Sequence, residues 1–161
     1  MLKEGTKAPD FESELDDGQL FHLASLRGRK NVVLYFYPKD FTAGCTREAC
    51  SFQVNYEAIK QFDAVIVGIS PDSLESHRSF RERYSLEFPL IADPRKQIVK
   101  AYDAQGFLSL IARVTYVIDK EGTIRSVIRH DLAIGRHLSD VLTALERIET
   151  EASSADQSRG T

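Results

Sequence analysis

Two cysteines, Cys45 and Cys50, are the side chains in this 161-residue sequence with the clearest capacity for covalent chemistry. Cys45 follows Thr42, a residue type that commonly caps helices, so the pattern predicts Cys45 in the first turn of a helix. The free N–H groups and partial positive charge of a helix N-terminus stabilise a thiolate relative to a thiol. Because the thiolate is the nucleophilic form of cysteine, this position indicates a reactive thiol at Cys45.

Metal binding and a structural disulfide are less well supported as roles for the two cysteines. Two cysteines are too few for a four-ligand zinc site unless histidines complete it. The histidines stand at no recognisable metal-ligand spacing from the cysteines, at positions His22, His77, His130 and His137. We therefore expect no metal site and no cofactor, and we expect solvated or capping roles for His130 and His137. A structural disulfide is disfavoured in a reducing compartment.

Composition and charge exclude several classes of protein. Hydrophobic residues make up 42% of the chain and charged residues 28%, which is typical of a soluble globular domain. The formal net charge of -3, with the charges interspersed, leaves no basic surface for nucleic acid. No apolar run approaches the roughly 18 residues of a membrane span, and the first residues contain no apolar signal-peptide core. We expect a cytoplasmic protein that binds neither nucleic acid nor membrane.

The elements that must position Cys45 are predicted from hydrophobic patterns. Residues 32–37 form a continuous apolar run typical of a strand buried on both faces, and Pro38 ends it. Apolar residues at helical spacing predict a helix over about residues 42–62. The other predicted elements are a hairpin over 11–23, a strand over 64–69, a helix capped by Asp72, a short strand over 88–92, a short helix over 96–102, a hairpin over 114–128 and a helix over 136–149.

This order of elements predicts a single α/β domain over residues 1–149. Its fold would be thioredoxin-like, with a central mixed sheet flanked by helices and an N-terminal β-hairpin. From residue 150 onward the chain contains small, polar and charged residues with no apolar face to bury. We therefore predict a disordered C-terminal tail over residues 150–161.

The residues around Cys45 resemble a known active-site motif. The pattern Pro38-x-x-x-Thr42-x-x-Cys45 matches the motif of the peroxiredoxin family. The stretches Tyr35–Asp40 and Gly44–Cys50 are similar to its bacterioferritin comigratory protein branch, also called peroxiredoxin Q. The resemblance covers about residues 3–149 and includes Ala8–Phe11, Gly68–Ser70 and Arg113–Asp119.

The sequence departs from that branch at two loop positions. Phe41 and Ala43 stand where the branch usually has Asp and Pro. Neither position supplies a catalytic atom in the family, so the resemblance still implies the same chemistry. Without the proline, we expect a more mobile loop or a different fit to the substrate.

The resemblance implies a role for each matched residue. Cys45 would be the peroxidatic nucleophile, which attacks a hydroperoxide and becomes a sulfenic acid. Thr42 would hydrogen-bond the thiolate and the peroxide, and Pro38 would shield the sulfur from water. Arg113 would lie beside the sulfur and stabilise charge as the O–O bond breaks. A thioredoxin-like dithiol is the family's usual reductant, and many relatives of this branch are monomers, so we expect both here.

Cys50 is predicted to resolve the sulfenic acid by forming a disulfide with Cys45. In an ideal helix the two Cα atoms, five residues apart, are separated by roughly 8–9 Å. A disulfide needs Cα atoms within about 7 Å, so the first turns of the helix would have to unwind. The alternative is that Cys50 is a core cysteine and an external thiol resolves Cys45.

Several alternatives stay open from the sequence. The protein could be a thiol–disulfide oxidoreductase, although four residues rather than two separate its cysteines. It could also be a redox sensor that passes its oxidation to a partner. Glu48 could anchor Arg113 or be an exposed carboxylate at a helix N-terminus. The apolar stretch Phe107–Ala112 could line the site or a partner surface, and burial in the core is favoured.

Overall fold

The computed structural model describes residues 1–129 and 134–159, and of Ile134 only the backbone. The chain opens with an antiparallel hairpin of β1 (Glu12–Glu14) and β2 (Leu20–His22). The central sheet contains β3 (Asn31–Phe36), β4 (Ala64–Ser70), β5 (Leu90–Ala92), β6 (Val114–Ile118) and β7 (Ile124–Arg129). The helices are α1 (Ala43–Val54), α2 (Tyr56–Lys60), α3 (Leu74–Tyr84), α4 (Gln97–Ala101) and α5 (Ile134–Arg159).

The five-stranded sheet is mixed and has the order β5-β4-β3-β6-β7. β3 lies at its centre, parallel to β4 and antiparallel to β6. All six residues of β3 are buried, as expected for a strand covered on both faces. The predicted thioredoxin-like α/β fold, with a mixed sheet and an N-terminal hairpin, is confirmed.

Helices cover both faces of this sheet, and the two faces form separate cores. Val33, Tyr35 and Tyr37 point into the core that α1, α3 and α5 complete. Val32, Leu34 and Phe36 point into the other core. Gly68 faces Tyr35 across the β3–β4 pair, and a Cβ atom there would lie 2.8 Å from the tyrosine ring. Close packing around Tyr35 therefore requires glycine at position 68.

The helix predicted over residues 42–62 is divided in two at Asn55. The Asn55 side chain donates a hydrogen bond from Nδ2 to the carbonyl oxygen of Ser51 at 3.1 Å. Asparagine competes in this way with the backbone for helical hydrogen bonds. The chain therefore turns at Asn55 (φ −105°, ψ 15°) before α2 begins.

The predicted cap of α3 is wrong by one residue. Ser73 is the N-cap, and its Oγ accepts a hydrogen bond from the Ser76 N–H at 3.1 Å. Asp72 Oδ2 instead accepts from the Asp40 N–H at 2.8 Å and the Ser70 hydroxyl at 2.6 Å. The carboxylate is therefore engaged by the loop that leads into α1.

The last helix is longer than predicted. Its buried face, with Val141, Ala144, Leu145 and Ile148, lies within the predicted range. The helix then continues to Arg159, so the expected disorder from residue 150 is wrong for residues 150–159. Those residues are exposed, and they continue the helix without adding a buried apolar face.

The preference for core burial of Phe107–Ala112 is wrong for the first four residues of the segment, 107–110. Phe107, Leu108 and Leu110 are 83%, 78% and 63% exposed, whereas Ile111 and Ala112 are buried. Leu108 has a positive φ of 55°, so the chain turns sharply there and lifts these side chains off the core. Among the described residues, no helix is both long and apolar enough to cross a membrane.

Candidate active site

The first turn of α1 follows the end of the central strand after a six-residue loop, residues 37–42. Thr42 is the N-cap, with an extended backbone, and its carbonyl oxygen accepts a hydrogen bond from the Thr46 N–H at 2.9 Å. Cys45 is the third residue of the helix and only 1% exposed. The prediction that Cys45 lies in a first helical turn is confirmed.

Arg113 lies beside the sulfur of Cys45. Its Nη2 donates a hydrogen bond to Cys45 Sγ at 3.4 Å. The sheet explains this contact between residues 68 positions apart, because Val114 pairs with Phe36, so the start of β6 lies beside the end of β3. A guanidinium at this distance stabilises negative charge on the sulfur.

Glu48 holds the other side of the Arg113 guanidinium. Arg113 Nη1 donates to Glu48 Oε1 at 3.0 Å, and Glu48 is 1% exposed. Of the two roles that the sequence left open for Glu48, the structure supports the anchor. Burial raises the pKa of the Glu48 carboxyl from 4.5 to about 7, although the charge and hydrogen bond of Arg113 oppose the rise. Burial lowers the pKa of Arg113, but Glu48 and Cys45 outweigh it and hold that pKa above its ordinary value.

His137 of α5 lies behind this pair. Its Nδ1 is 3.4 Å from Glu48 Oε2 and 3.2 Å from Thr115 Oγ1, and the residue is 1% exposed. The expectation of a solvated or capping His137 is therefore wrong, because α5 turns this side chain into the protein. His130, for which the same role was expected, lies outside the described residues.

The two other motif residues flank the loop. Pro38 is half-buried at its start, and Thr42 is exposed at its end. The Thr42 hydroxyl donates to the carbonyl oxygen of Lys39 at 2.8 Å, so its proton is engaged by the backbone of the loop. The oxygen of that hydroxyl retains lone pairs with which it can accept a hydrogen bond.

Cys50 shares α1 with Cys45. Both thiols are free, Cys45 buried and Cys50 half-buried. The helix is continuous from Ala43 to Val54, so the two cysteines have the separation of an intact helix, roughly 8–9 Å between Cα atoms. A direct disulfide cannot form in this conformation.

A second buried polar group adjoins the site, and sequence reasoning did not identify it. Asp40, in the loop before α1, contacts His77 of α3 at 2.7 Å between Oδ2 and Nδ1. The helical spacing of His77 with the apolar residues Leu74, Phe80 and Tyr84 predicts that it faces inward, but nothing local indicates its partner. Such a pairing, across 37 residues, depends on the packing of α3 against the loop.

Comparison with known proteins gives consistent matches over most of the chain. A model described as the AhpC/TSA family matches residues 5–127. The sequence is 39% identical over 153 residues to peroxiredoxin Bcp of Bacillus subtilis (strain 168), covering 90% of this chain and 96% of that protein. It is 36% identical over 149 residues to a chloroplastic peroxiredoxin Q of Oryza sativa subsp. japonica, covering 91% of this chain and 68% of that protein.

A solved structure shows the same similarity. The crystal structure of peroxidoxin BcpB from Mycobacterium tuberculosis matches with a TM-score of 0.85 at 31% identity. The match covers 92% of this chain and 99% of that one. The shared part therefore includes most of the sheet and the helices that carry the site.

Proposed function

Because the chain belongs to the AhpC/TSA family and is a thiol peroxidase similar to the Bcp and peroxiredoxin Q proteins, we propose that Cys45 is its peroxidatic nucleophile. The observation that carries this proposal is the 3.4 Å hydrogen bond from Arg113 Nη2 to Cys45 Sγ. The guanidinium and the N-terminus of α1 both favour the thiolate, which is the attacking species.

In the first step, the Cys45 thiolate attacks one oxygen of a hydroperoxide. An S–O bond forms and the O–O bond breaks, so Cys45 is oxidised to a sulfenic acid and the peroxide is reduced. The leaving alkoxide or hydroxide takes up a proton and departs as alcohol or water. Arg113 stabilises the charge that develops on the oxygens, and Thr42 and Pro38 complete the pocket.

In the second step, Cys50 resolves the sulfenic acid. Its thiolate attacks Cys45 Sγ, an S–S bond forms, and the sulfenic oxygen leaves with protons as water. The continuous helix from Ala43 to Val54 keeps the two sulfurs apart, so its first turns must unwind locally. A thioredoxin-like dithiol then reduces the disulfide by exchange and restores both thiols.

The proposal extends to hydrogen peroxide and organic hydroperoxides as substrates and to a monomer as the working unit. It places the catalytic domain in residues 1–149, with the remaining residues not required for catalysis. A cytoplasmic location also stays a proposal, because the relatives include a bacterial and a chloroplastic protein.

Two serine variants test the assignment of the cysteines. Cys45→Ser should abolish peroxide reduction, measured by stopped flow with hydrogen peroxide and with a bulky organic hydroperoxide, while far-ultraviolet circular dichroism stays unchanged. Cys50→Ser should still form the sulfenic acid but lose turnover with thioredoxin. Appreciable turnover by Cys45→Ser would refute the nucleophile, and normal turnover by Cys50→Ser would assign resolution to an external thiol.

The unwinding step has its own measurement. Peroxide-treated protein should contain an intramolecular Cys45–Cys50 disulfide by mass spectrometry. Amide exchange across residues 42–52 should speed up on oxidation, because those hydrogen bonds are lost. An oxidised helix that stays protected would contradict the local unwinding, whatever the role of Cys45.

A further inference from the structure

A second buried network holds the loop that leads into α1. Its centre is the carboxylate of Asp40, which is 3% exposed. Asp40 Oδ1 accepts a hydrogen bond from the Tyr37 hydroxyl at 2.6 Å. Oδ2 accepts from the Ser76 hydroxyl at 2.9 Å and lies 2.7 Å from His77 Nδ1. Both oxygens of a buried carboxylate are thus bound, and two of the partners come from α3.

The histidine of this network is fully buried and faces acceptors with both nitrogens. His77 Nε2 lies 3.1 Å from the carbonyl oxygen of Ile91, which can only accept, so Nε2 carries a hydrogen. Nδ1 faces the Asp40 carboxylate, so a proton lies between them as well. The contact between α3 and the loop is therefore charge-assisted or carries a carboxylic acid proton, and in either form it is a strong hydrogen bond.

The backbone of the loop is attached at the same place. The Asp40 N–H donates to Asp72 Oδ2 at 2.8 Å. Phe41 follows in the left-handed region (φ 65°), a conformation that neighbouring contacts must hold. Its ring packs on two aromatic side chains of α3, with centroid distances of 5.1 Å to Phe80 and 6.4 Å to Tyr84.

Three residues of this network bring possible metal-ligand atoms close together. Ligand atoms of Asp40, Asp72 and His77 lie within 4.8 Å of one another. The two carboxylates already accept hydrogen bonds from Tyr37, Ser70, Ser76 and the Asp40 N–H. His77 uses both nitrogens on protein acceptors. Hydrogen bonds within the protein therefore account for the close approach of Asp40, Asp72 and His77.

We propose that Asp40 and His77 are positioning residues for the peroxide step. Asp40 stands midway between Pro38 and Thr42, the two motif residues of the loop, and His77 fixes it to α3. The network holds the loop, and with it the first turn of α1, in the conformation that receives the peroxide. This inference rests on the proposed role of Cys45.

The two half-reactions should respond in opposite directions when the network is broken. The peroxide step needs an ordered loop, because misplacing a pocket group by about 1 Å can slow a reaction on the order of 10²-fold. Disulfide formation between Cys50 and Cys45 needs the first turns of α1 to unwind. A loop that is held less firmly resists this unwinding less. A variant that breaks the network should therefore form sulfenic acid more slowly and convert it to disulfide faster.

Two substitutions at His77 separate positioning from general packing. His77→Asn places an amide N–H near the position of Nδ1, so it keeps a donor for Asp40 and loses the contact to Ile91. His77→Gln places the amide near Nε2, so it keeps the contact to Ile91 and loses Asp40. We expect His77→Gln to slow the peroxide step at least about 10-fold and His77→Asn to stay within a few-fold of wild type. Asp40→Asn should resemble His77→Gln.

The peroxide step is measured by stopped flow in a Cys50→Ser background, and disulfide formation in chains that keep Cys50. Ile66→Val, a buried change in β4 at the position that pairs with Val33, outside the Asp40–His77 network, serves as the control for lost stability. Equal rates for His77→Asn and His77→Gln, or an effect that Ile66→Val reproduces at matched stability, would overturn the inference. Failure of the proposed function would differ, because no sulfenic acid would then form on Cys45 even without a change at position 77.

Discussion

Two buried carboxylates, Glu48 and Asp40, lie on either side of Cys45 in sequence and differ in how their networks end. Glu48 accepts from Arg113, which donates its other nitrogen to the Cys45 sulfur. Asp40 accepts from Tyr37 and Ser76 and shares a proton with His77, and the network closes on protein atoms. One network thus ends on the reacting atom, while the other ends within the scaffold.

The difference indicates that two buried carboxylates in the same fold have different roles. A charge network that ends on a reactive atom changes its energy when that atom gains or loses charge. A closed network keeps the same hydrogen-bond partners throughout the reaction, so it acts only by holding the surrounding residues in position. Substitutions in the Glu48 network should therefore change chemistry and pH dependence, and those in the Asp40 network should change loop order.

The largest effect is expected for Arg113→Ala. Loss of this charge-assisted donor should slow the peroxide step about 10²-fold or more, because the thiolate and the developing oxyanion both lose a cation. Stopped-flow reaction with hydrogen peroxide measures this rate. Arg113→Lys should recover part of the rate. An unchanged rate in Arg113→Ala would place Arg113 outside the site.

A smaller effect on the same step is expected for Thr42→Val. The Thr42 hydroxyl donates to Lys39 in the structure and has lone pairs available toward a bound peroxide. Removing a hydrogen bond to a charged or reacting group typically costs about 10-fold in rate. Thr42→Ser should restore the rate, since it keeps the hydroxyl. If the valine and serine variants react equally fast, the hydroxyl takes no part in peroxide binding.

Glu48→Gln should change the pH dependence of stability. The pKa of the Glu48 carboxyl is raised from 4.5 to about 7, so the folded protein holds this proton more tightly than the unfolded chain does. Its contribution to stability is present below pH 4.5 and is lost as the pH rises to about 7. Glutamine does not titrate, so the variant should lack this fall.

The measurement is urea unfolding of reduced protein across that pH range. The unfolding free energy of Glu48→Gln should gain on wild type as the pH rises, by on the order of 3 kcal/mol. Glu75→Gln, at an exposed glutamate in the first turn of α3, is the matched control and should show no such trend. Parallel curves for wild type and Glu48→Gln would mean that Glu48 does not carry the proton.

The two networks also differ in how far the sequence could predict them. The motif found Cys45, Thr42 and Pro38 because they lie within eight residues of one another. Arg113 could be assigned only through the family resemblance, since its contact to Cys45 depends on the pairing of β6 with β3. No motif covered the partner of Asp40, because that contact depends on how α3 packs.

Errors in the predicted elements have local physical causes. Aspartate is a common N-cap residue, which is why the sequence predicts that Asp72 caps α3. In the structure the Asp72 carboxylate instead accepts a hydrogen bond from the N–H of Asp40. The amphipathic stretch of the last helix ends at Glu149. A prediction based only on the burial of apolar residues therefore ends the helix there. The helix continues beyond Glu149 to Arg159 through residues that have no apolar face, and a search for apolar periodicity does not detect such a stretch.

The smallest effect is expected from removing residues 150–161. The described residues 151–159 are exposed, and Glu151, whose side chain is 54% exposed, pairs with Arg125 of β7. A surface ion pair contributes about 0–1 kcal/mol, so the melting temperature should shift by only about 1–4 °C. The peroxide step should keep its rate, because neither network around Cys45 uses these residues.

A matched variant identifies the source of any loss that does occur. Glu151→Gln removes the ion pair to Arg125 and leaves the helix in place, so it should reproduce most of the small shift seen on truncation. A groove between the end of α5 and one end of the sheet is lined in part by Phe62, Ile148 and Ala152, and apolar contact there is the other source. A truncated protein that melts far below both wild type and Glu151→Gln would show that the helix end packs into this groove. The domain boundary proposed at residue 149 would then have to move toward Arg159.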